Sequence, residues 1–152
     1  MIFPDTSFLL PLYFEGDAFH VTASRIASRF TEALPLTWLG EVELAAGLHR
    51  ALANAWISVE DHRRAFLMID RDLADRILAR MPVAADRFLP VALRLAGDPF
   101  KSNPARTLDL LHVASAVVLG ATALASFDLR QRALAKACGL ELLPKVLPKR
   151  KS

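Results

Sequence analysis

Cysteine is almost absent from this chain, and with it the chemistry that depends on paired thiols. The one cysteine, Cys138, can form neither an internal disulfide nor a cysteine metal cluster, and a small buried hydrophobic side chain is its favoured interpretation. No apolar run reaches the roughly 18 uncharged residues that a membrane-spanning helix requires. The first residues lack a basic segment ahead of an apolar run, so we expect no signal peptide, no membrane association and a cytoplasmic protein.

Several common catalytic signatures are missing as well. The sequence contains no P-loop, no Gly-rich phosphate-binding turn, and no Ser-His-Asp or Cys-His arrangement that suggests a protein nucleophile. It also contains no repeat, no low-complexity tract and no interdomain linker. These absences argue against P-loop nucleotide hydrolysis and against catalysis through a covalent enzyme intermediate.

The excess of positive over negative charge is confined to the C-terminal end. The formal net charge is +3, but Lys145, Lys149, Arg150 and Lys151 all lie in the last eight residues, and the rest of the chain carries 15 basic against 16 acidic side chains. Residues 145–152 therefore form a basic tail on a nearly neutral body. Such a tail can attract phosphate backbones, although a frayed, solvated terminus explains the same composition.

Short apolar runs alternate with longer segments of helical periodicity. With 53% apolar residues the chain can bury one core, and the alternation predicts a single α/β domain over residues 1–144 with a parallel sheet. The predicted strands are residues 1–4, 35–39, 123–128 and 139–144. The predicted helices are residues 18–34, 41–55, 59–80, 82–96, 107–120 and 129–138. Residues 97–104 are predicted as the longest loop.

Acidic residues recur where predicted strands end and the following helices begin. Asp5 follows the first strand, Asp128 ends a later strand, and Asp109 lies in the first turn of a long apolar helix. Glu41 and Glu43 both lie near the start of the helix after the second strand, about 200° apart, so at most one can face a given site. The carboxyl ends of parallel strands share one edge of a sheet, so we expect these acids to converge.

Converging carboxylates repel one another unless a cation joins them. Oxygen ligands without histidine or cysteine suit a hard ion such as Mg²⁺ or Mn²⁺. Such an ion lowers the pKa of a bound water and bridges to a phosphate oxygen. The set of acids therefore suggests phosphodiester hydrolysis by a metal-activated water.

Each acid also has an ordinary structural interpretation. Asp5 and Asp128 could cap the helices that follow them, and Asp109 could interact with the dipole of its own helix. His112, three residues after Asp109, is interpreted as a buried, hydrogen-bonded core histidine and not as a ligand or base. The joint placement of the acids at all four junctions of strand and helix favours the functional interpretation.

The stretches that carry these acids resemble the PIN domain family, and within it the VapC-type toxins of bacterial toxin–antitoxin pairs. The resemblance extends over essentially the whole chain. It is carried by Asp5-Thr6-Ser7, Glu43-Leu44, residues 108–116, Ser126-Phe127-Asp128 and residues 139–142. The chain departs from the family at Pro4, which replaces the usual β-branched residue, and in the somewhat long span between Glu43 and Asp109.

The resemblance implies a three-layer α/β/α PIN-like domain with a short central parallel sheet. It also implies Mg²⁺- or Mn²⁺-dependent endoribonuclease activity on single-stranded RNA, a homodimer, and a cognate VapB-like antitoxin whose C-terminal segment occupies the active-site groove. By the resemblance, the catalytic acids that hold the metal would be Asp5, Glu43, Asp109 and Asp128. Ser7 and Ser126 would supply hydroxyls that hydrogen-bond to these acids or to water.

Two other functions are weighed against the nuclease. The first is a catalytically silent PIN-like module that binds RNA or a protein partner, which the presence of all four acids disfavours. The second is a phosphatase in which the acid after the first strand is the nucleophile. That chemistry usually needs a second acid two residues later, where this chain has Ser7.

Overall fold

The structure, a computed structural model, describes residues 1–97 and 106–148, in which short strands alternate with helices. The strands are β1 (Ile2–Pro4), β2 (Leu34–Leu36), β3 (Leu78–Arg80), β4 (Ala123–Ala125) and β5 (Glu141–Leu143). The helices are α1 (Thr6–Leu9), α2 (His20–Ala27), α3 (Trp38–Ala53), α4 (Val59–Ala74), α5 (Ala85–Gly97), α6 (Thr107–Val118) and α7 (Leu129–Ala137), with a 3₁₀ turn at Leu10–Leu12.

The strands form two parallel ladders. In the first, β4 lies between β1 and β5, and Phe3 of β1 is opposite Leu124 of β4. In the second, β2 pairs with β3, and β2 lies beside β1. Because β1 and β4 run in the same direction, the residues that follow them, Asp5 and Ser126, emerge side by side at one edge of the sheet.

Helices cover both faces of the sheet and complete three α/β/α layers. On one side α5, α6 and α7 pack against β1 and β4 around the buried side chains of Phe3, Val113 and Leu124. On the other side α1, α3 and α4 pack against β2 and β3 around Leu36 and Leu48, which are also buried. The predicted fold class is therefore confirmed.

The predicted helix over residues 59–80 is wrong at its C-terminal end. Helix α4 stops at Ala74, and Arg76 adopts a left-handed conformation with φ of +58°. Leu78 then enters the β2–β3 ladder, where it is buried. The helical spacing of apolar residues continues through Ile77 and Leu78, and neither glycine nor proline follows the end of α4 directly. The apolar spacing therefore predicted a helix where the structure has the strand β3.

Two predicted boundaries around β2 are also wrong. The helix expected over residues 18–34 is only the two turns of α2, and the strand expected over residues 35–39 is the three-residue β2. Thr37 caps the following helix, because its hydroxyl accepts the amide hydrogen of Gly40. Helix α3 therefore starts earlier than predicted, and Glu43 lies in its second turn instead of its first.

The other predicted elements agree in kind with the structure. Helix α6 ends just before Gly120, whose φ of +72° is a left-handed conformation that favours glycine. Residues 98–104 of the predicted loop, and residues 149–152 of the predicted basic tail, lie outside the described residues. Among the helices of the described residues, none combines the length and the hydrophobicity that crossing a bilayer demands.

Replacing Leu48 by alanine should destabilise the fold strongly. Leu48 is fully buried, so the substitution leaves a cavity and should lower the free energy of unfolding by roughly 2–5 kcal/mol, as measured by urea denaturation. The matched control is Leu93→Ala on α5, where the side chain is 63% exposed and the change should stay below about 0.5 kcal/mol. Equal losses in the two variants would contradict this assignment of the core.

Candidate active site

Asp5 is fully buried, with no exposed surface, at the end of β1. Its Oδ1 accepts the amide hydrogen of Phe8 and thereby caps α1, and its own amide donates to the carbonyl of Ala125 in the neighbouring strand. Two hydroxyls complete the surroundings of the carboxylate. Ser7 Oγ donates to Oδ1 at 2.7 Å, and Ser126 Oγ donates to Oδ2 at 2.5 Å.

The Ser7 hydroxyl connects Asp5 to Asp128. It donates to Asp5 and accepts the backbone amide hydrogens of Phe127 and Asp128, at 2.8 and 3.1 Å. The side chain of Asp128 in turn caps α7, because its Oδ1 accepts two amide hydrogens from the first turn of that helix. The two acids that follow adjacent strands are therefore held by one hydroxyl.

Glu43 reaches the same region from α3. Its Oε2 accepts a hydrogen bond from Thr6 Oγ1 at 2.8 Å and pairs closely with Nε2 of His112, a residue of α6 that is 1% exposed. Thr6 directly follows Asp5 in the chain. Ser7 therefore joins the carboxylate of Asp5 to the backbone of Asp128, and Glu43 is joined to Asp5 through the hydroxyl of the adjacent Thr6.

Glu41 is engaged elsewhere on α3. Its carboxylate forms an ion pair with the guanidinium of Arg80 at the end of β3, with 2.7 Å between Oε1 and Nη2. The hydrogen bond from Arg80 lowers the pKa of Glu41. Sequence periodicity left Glu41 and Glu43 as alternatives, and in the structure Glu43 is the one that contacts the residues around Asp5.

Asp109 is less directly connected to the other acids. It lies in the first turn of α6, is 7% exposed, and accepts the backbone amide hydrogen of Arg106 on Oδ2 at 3.1 Å. His112 follows one turn later and contacts Glu43. Within the described residues, Asp109 is thus linked to Glu43 through the backbone of α6 and not through a side-chain hydrogen bond.

Burial raises the pKa of Asp5 to about 6. Hydrogen bonds from Ser126 and Ser7, the charge of nearby His112, and the amide of Phe8 oppose this shift without cancelling it. Glu43 behaves in the opposite way, because its hydrogen bond with His112 lowers its pKa in spite of partial burial. At neutral pH the site therefore holds a buried Asp5 anion whose desolvation is only partly offset.

The donor chemistry of these residues fits a divalent cation. The four acids offer only carboxylate oxygens, which suit Mg²⁺ and Mn²⁺, and a cation beside Asp5 would offset the cost of its burial. Among residues 1–97 and 106–148, no three acidic, histidine or cysteine side chains form a ready-made ligand cluster. Mg²⁺ does not need such a cluster, since it keeps several waters and often binds one or two carboxylates. The site therefore suits a hydrated ion.

Sequence reasoning did not assign Thr6 and His112 to the site. It named Thr6 only within the motif Asp5-Thr6-Ser7 and interpreted His112 as a core histidine. His112 is indeed buried and hydrogen-bonded, but its partner is a candidate acid, Glu43. The available signal was its position three residues after Asp109, on nearly the same face of α6. The contact of Thr6 with Glu43, 37 residues away, has no signal in local sequence.

The topology and the contacts of Asp5 define an α/β domain with an acidic site at the edge of a parallel sheet. The sequence model of the PIN domain family matches residues 2–137, which is most of the chain. The protein therefore belongs to the PIN domain family, as its resemblance predicted.

Among solved structures, the chain is similar to VapC20 of Mycobacterium tuberculosis, which is described as a sarcin–ricin loop cleaving toxin. The two share 23% sequence identity and a TM-score of 0.69, over 97% of this chain and 100% of VapC20. At this identity the similarity establishes the fold. No curated protein matches the chain in sequence.

The stability of the metal-free protein should fall as the pH rises from about 4 to about 6. The pKa of Asp5 moves from 3.8 to about 6 on folding, so in this interval the folded state binds more protons than the unfolded state. The contribution of Asp5 to the free energy of unfolding is therefore largest below pH 3.8 and falls as the pH rises to about 6. The total loss is roughly 3 kcal/mol, because each pKa unit corresponds to about 1.4 kcal/mol. Urea unfolding in EDTA across this pH range measures the loss.

Two variants identify Asp5 as the source of this pH dependence. Asp5→Asn removes the titrating group and should flatten the curve, whereas Asp86→Asn, at an exposed position of α5, should leave it unchanged. Glu43 has an effect of the opposite sign, because its lowered pKa makes stability fall as the pH drops below its ordinary value of 4.5. The two effects overlap only at the acid end of the interval, and the difference between the wild type and Asp5→Asn isolates Asp5. An unchanged slope in Asp5→Asn would refute the assignment.

Proposed function

We propose that this protein is a metal-dependent endoribonuclease, the toxin of a type II toxin–antitoxin pair. The observation that carries the proposal is the connected set of contacts that joins Asp5, Glu43 and Asp128 at one edge of the sheet in a member of the PIN domain family. The similarity to VapC20, described as a sarcin–ricin loop cleaving toxin, supports RNA as the substrate. That loop is therefore the first RNA to assay.

The proposed reaction is hydrolysis of an RNA phosphodiester. A bound Mg²⁺ or Mn²⁺ would supply an activated water and would neutralise charge on the phosphate. The residues that would hold this ion and its waters are Asp5, Glu43, Asp109 and Asp128. The proposal draws these acids from four separate places, namely the residues that follow β1 and precede α7, helix α3 and the first turn of α6.

Neighbouring side chains would keep the acids in position. Ser7 donates a hydrogen bond to one carboxylate oxygen of Asp5 and Ser126 donates to the other, so these two bonds would fix the orientation of the carboxylate toward the ion. Thr6 and His112 hold the same oxygen of Glu43 and leave the other oxygen without a described partner. Hydrogen bonds of this kind orient metal ligands and raise metal affinity.

The proposal includes the partners that the VapC resemblance implies. A cognate VapB-like antitoxin would block the acidic groove, and the protein would act as a homodimer in the cytoplasm, where its RNA substrate and its antitoxin are made. A catalytically silent module that binds RNA or a partner is the second candidate. The presence of all four acids, and the hydrogen bonds that orient Asp5 and Glu43, disfavour this alternative.

Asp5→Asn should abolish RNA cleavage while the fold survives. Since even second-shell partners of a metal typically contribute 10–100-fold, the rate should fall by about 100-fold or more in Mg²⁺ or Mn²⁺, and EDTA should inactivate the wild type. Cleavage of a labelled sarcin–ricin loop oligonucleotide and of ribosomal RNA measures the effect. Asp86→Asn, with the same loss of charge at an exposed site, should cleave normally. A wild type that binds RNA without turnover in either metal would instead support the silent module.

A matched pair on α3 tests which glutamate participates. Glu43→Gln should reduce cleavage by about 100-fold, because it removes the charge that lies beside Thr6 and His112. Glu41→Gln should retain cleavage, because Glu41 forms only an exposed ion pair with Arg80. The same assay compares the two, and loss of cleavage in Glu41→Gln alone would reverse the assignment.

A further inference from the structure

Two histidines meet where helices α3 and α4 pack together. Nδ1 of His49, on α3, lies 3.0 Å from Nε2 of His62, on α4, so one of these nitrogens donates a hydrogen and the other accepts it. His49 is exposed and His62 is half-buried. Solvent therefore reaches the pair, and a small ion dissolved in it can do so too.

The two helices hold the rings in position. Leu48, directly before His49, is fully buried, and Ala65, about one turn after His62, is also buried. The ring of Phe66 on α4 flanks both imidazoles, with its centroid 5.5 Å from that of His49 and 5.0 Å from that of His62. Side chains on packed helices keep their geometry better than side chains on loops. The pair is therefore positioned before any ligand binds.

The separation of the two nitrogens is close to that of two ligands of one metal ion. Zn²⁺ binds imidazole nitrogens at about 2.0–2.1 Å in a tetrahedral arrangement, which places two such nitrogens about 3.3 Å apart. The 3.0 Å between His49 and His62 is only slightly shorter. The ring centroids are 4.8 Å apart and the rings are inclined by 39°. A straight hydrogen bond of this length would hold the centroids farther apart, so the nitrogens meet at an angle, as two ligands of one ion do.

We propose that His49 and His62 bind a divalent transition-metal ion, with Zn²⁺ as the first candidate, between α3 and α4. Imidazole nitrogen suits Zn²⁺, Cu²⁺ and Ni²⁺. The ion takes the place of the shared hydrogen, and the ring that carried this hydrogen carries one on its other nitrogen instead, so both rings stay neutral. Among residues 1–97 and 106–148 no third acidic, histidine or cysteine side chain joins the pair, and water would occupy the remaining positions on the ion.

This site is distinct from the acidic edge of the sheet. His49 lies six residues after Glu43 on α3, which corresponds to about 9 Å along the helix and about 120° around it. Glu43 contacts His112 of α6, whereas His49 contacts α4. The ligands also differ, since carboxylates suit Mg²⁺ and imidazoles suit Zn²⁺. An ion at the histidine pair would connect α4 to the helix that carries Glu43, and its binding does not depend on the proposed nuclease activity.

Calorimetric titration of the untagged, full-length protein with Zn²⁺ tests the pair. Mg²⁺ is kept in excess to occupy the carboxylates, and the pH is slightly alkaline because a metal binds the neutral imidazole. Each of His49→Gln and His62→Gln should lower the Zn²⁺ affinity by at least about tenfold, since losing a ligand costs no less than losing a second-shell partner. His20→Gln is the matched control and should bind as the wild type does, because Nδ1 of His20 contacts the carbonyl of Pro11. Full affinity in either His49→Gln or His62→Gln would overturn the proposal.

The imidazole ¹⁵N resonances of the wild type identify the ligands without any substitution. An equimolar amount of Zn²⁺ should shift the signals of Nδ1 in His49 and Nε2 in His62 together, and those of His20 should stay in place. If the pair is only a hydrogen bond between side chains, neither ring responds to Zn²⁺. If one ring alone responds, the two histidines do not share an ion. Either of these last two results would contradict the proposal, whatever the stability of the variants.

Discussion

The burial of the Asp5 carboxylate is the constraint on which the rest of the site depends. An anion without solvent contact requires hydrogen bonds, and here they come from Ser7, Ser126 and the amide of Phe8. The same bonds fix where α1 begins and how the ends of β1 and β4 meet, across 121 residues of sequence. They do not fully offset desolvation, since the pKa of Asp5 is still about 6. The fold thus maintains a carboxylate that a cation would stabilise.

The other candidate acids around this carboxylate are held in two different ways. Glu43 pairs with the side chain of His112. Asp109 and Asp128 instead accept backbone amide hydrogens at the starts of α6 and α7, and neither forms an ion pair within the described residues. Helix capping therefore orients two of the acids without a cationic partner.

Sequence reasoning located Asp5, Asp109 and Asp128 correctly relative to the strands and helices, because strand ends and helix starts have local signals. Glu43, expected in the first turn of its helix, lies in the second. It failed where structure depends on distant partners. Residues 78–80 continue the helical pattern of α4, yet they form β3 because Leu34 of β2 pairs with Leu78. Periodicity could not distinguish Glu43 from Glu41, because the two differ in their distant partners. Glu41 binds Arg80, whereas Glu43 binds His112. The division into a domain over residues 1–144 and a tail stays a prediction.

The sequence by itself determined the class of fold, the family, and the presence of Asp5, Asp109 and Asp128 at junctions of strand and helix. These follow from alternating apolar periodicity and from short motifs, and both signals depend only on residues that are close together in the sequence. Only the tertiary structure decided that Ser7 and Ser126 share Asp5, that His112 binds Glu43, and that Arg80 binds Glu41. The physical reason is that hydrogen bonds and cavities depend on how distant segments pack, and packing is not encoded in any single stretch of the chain.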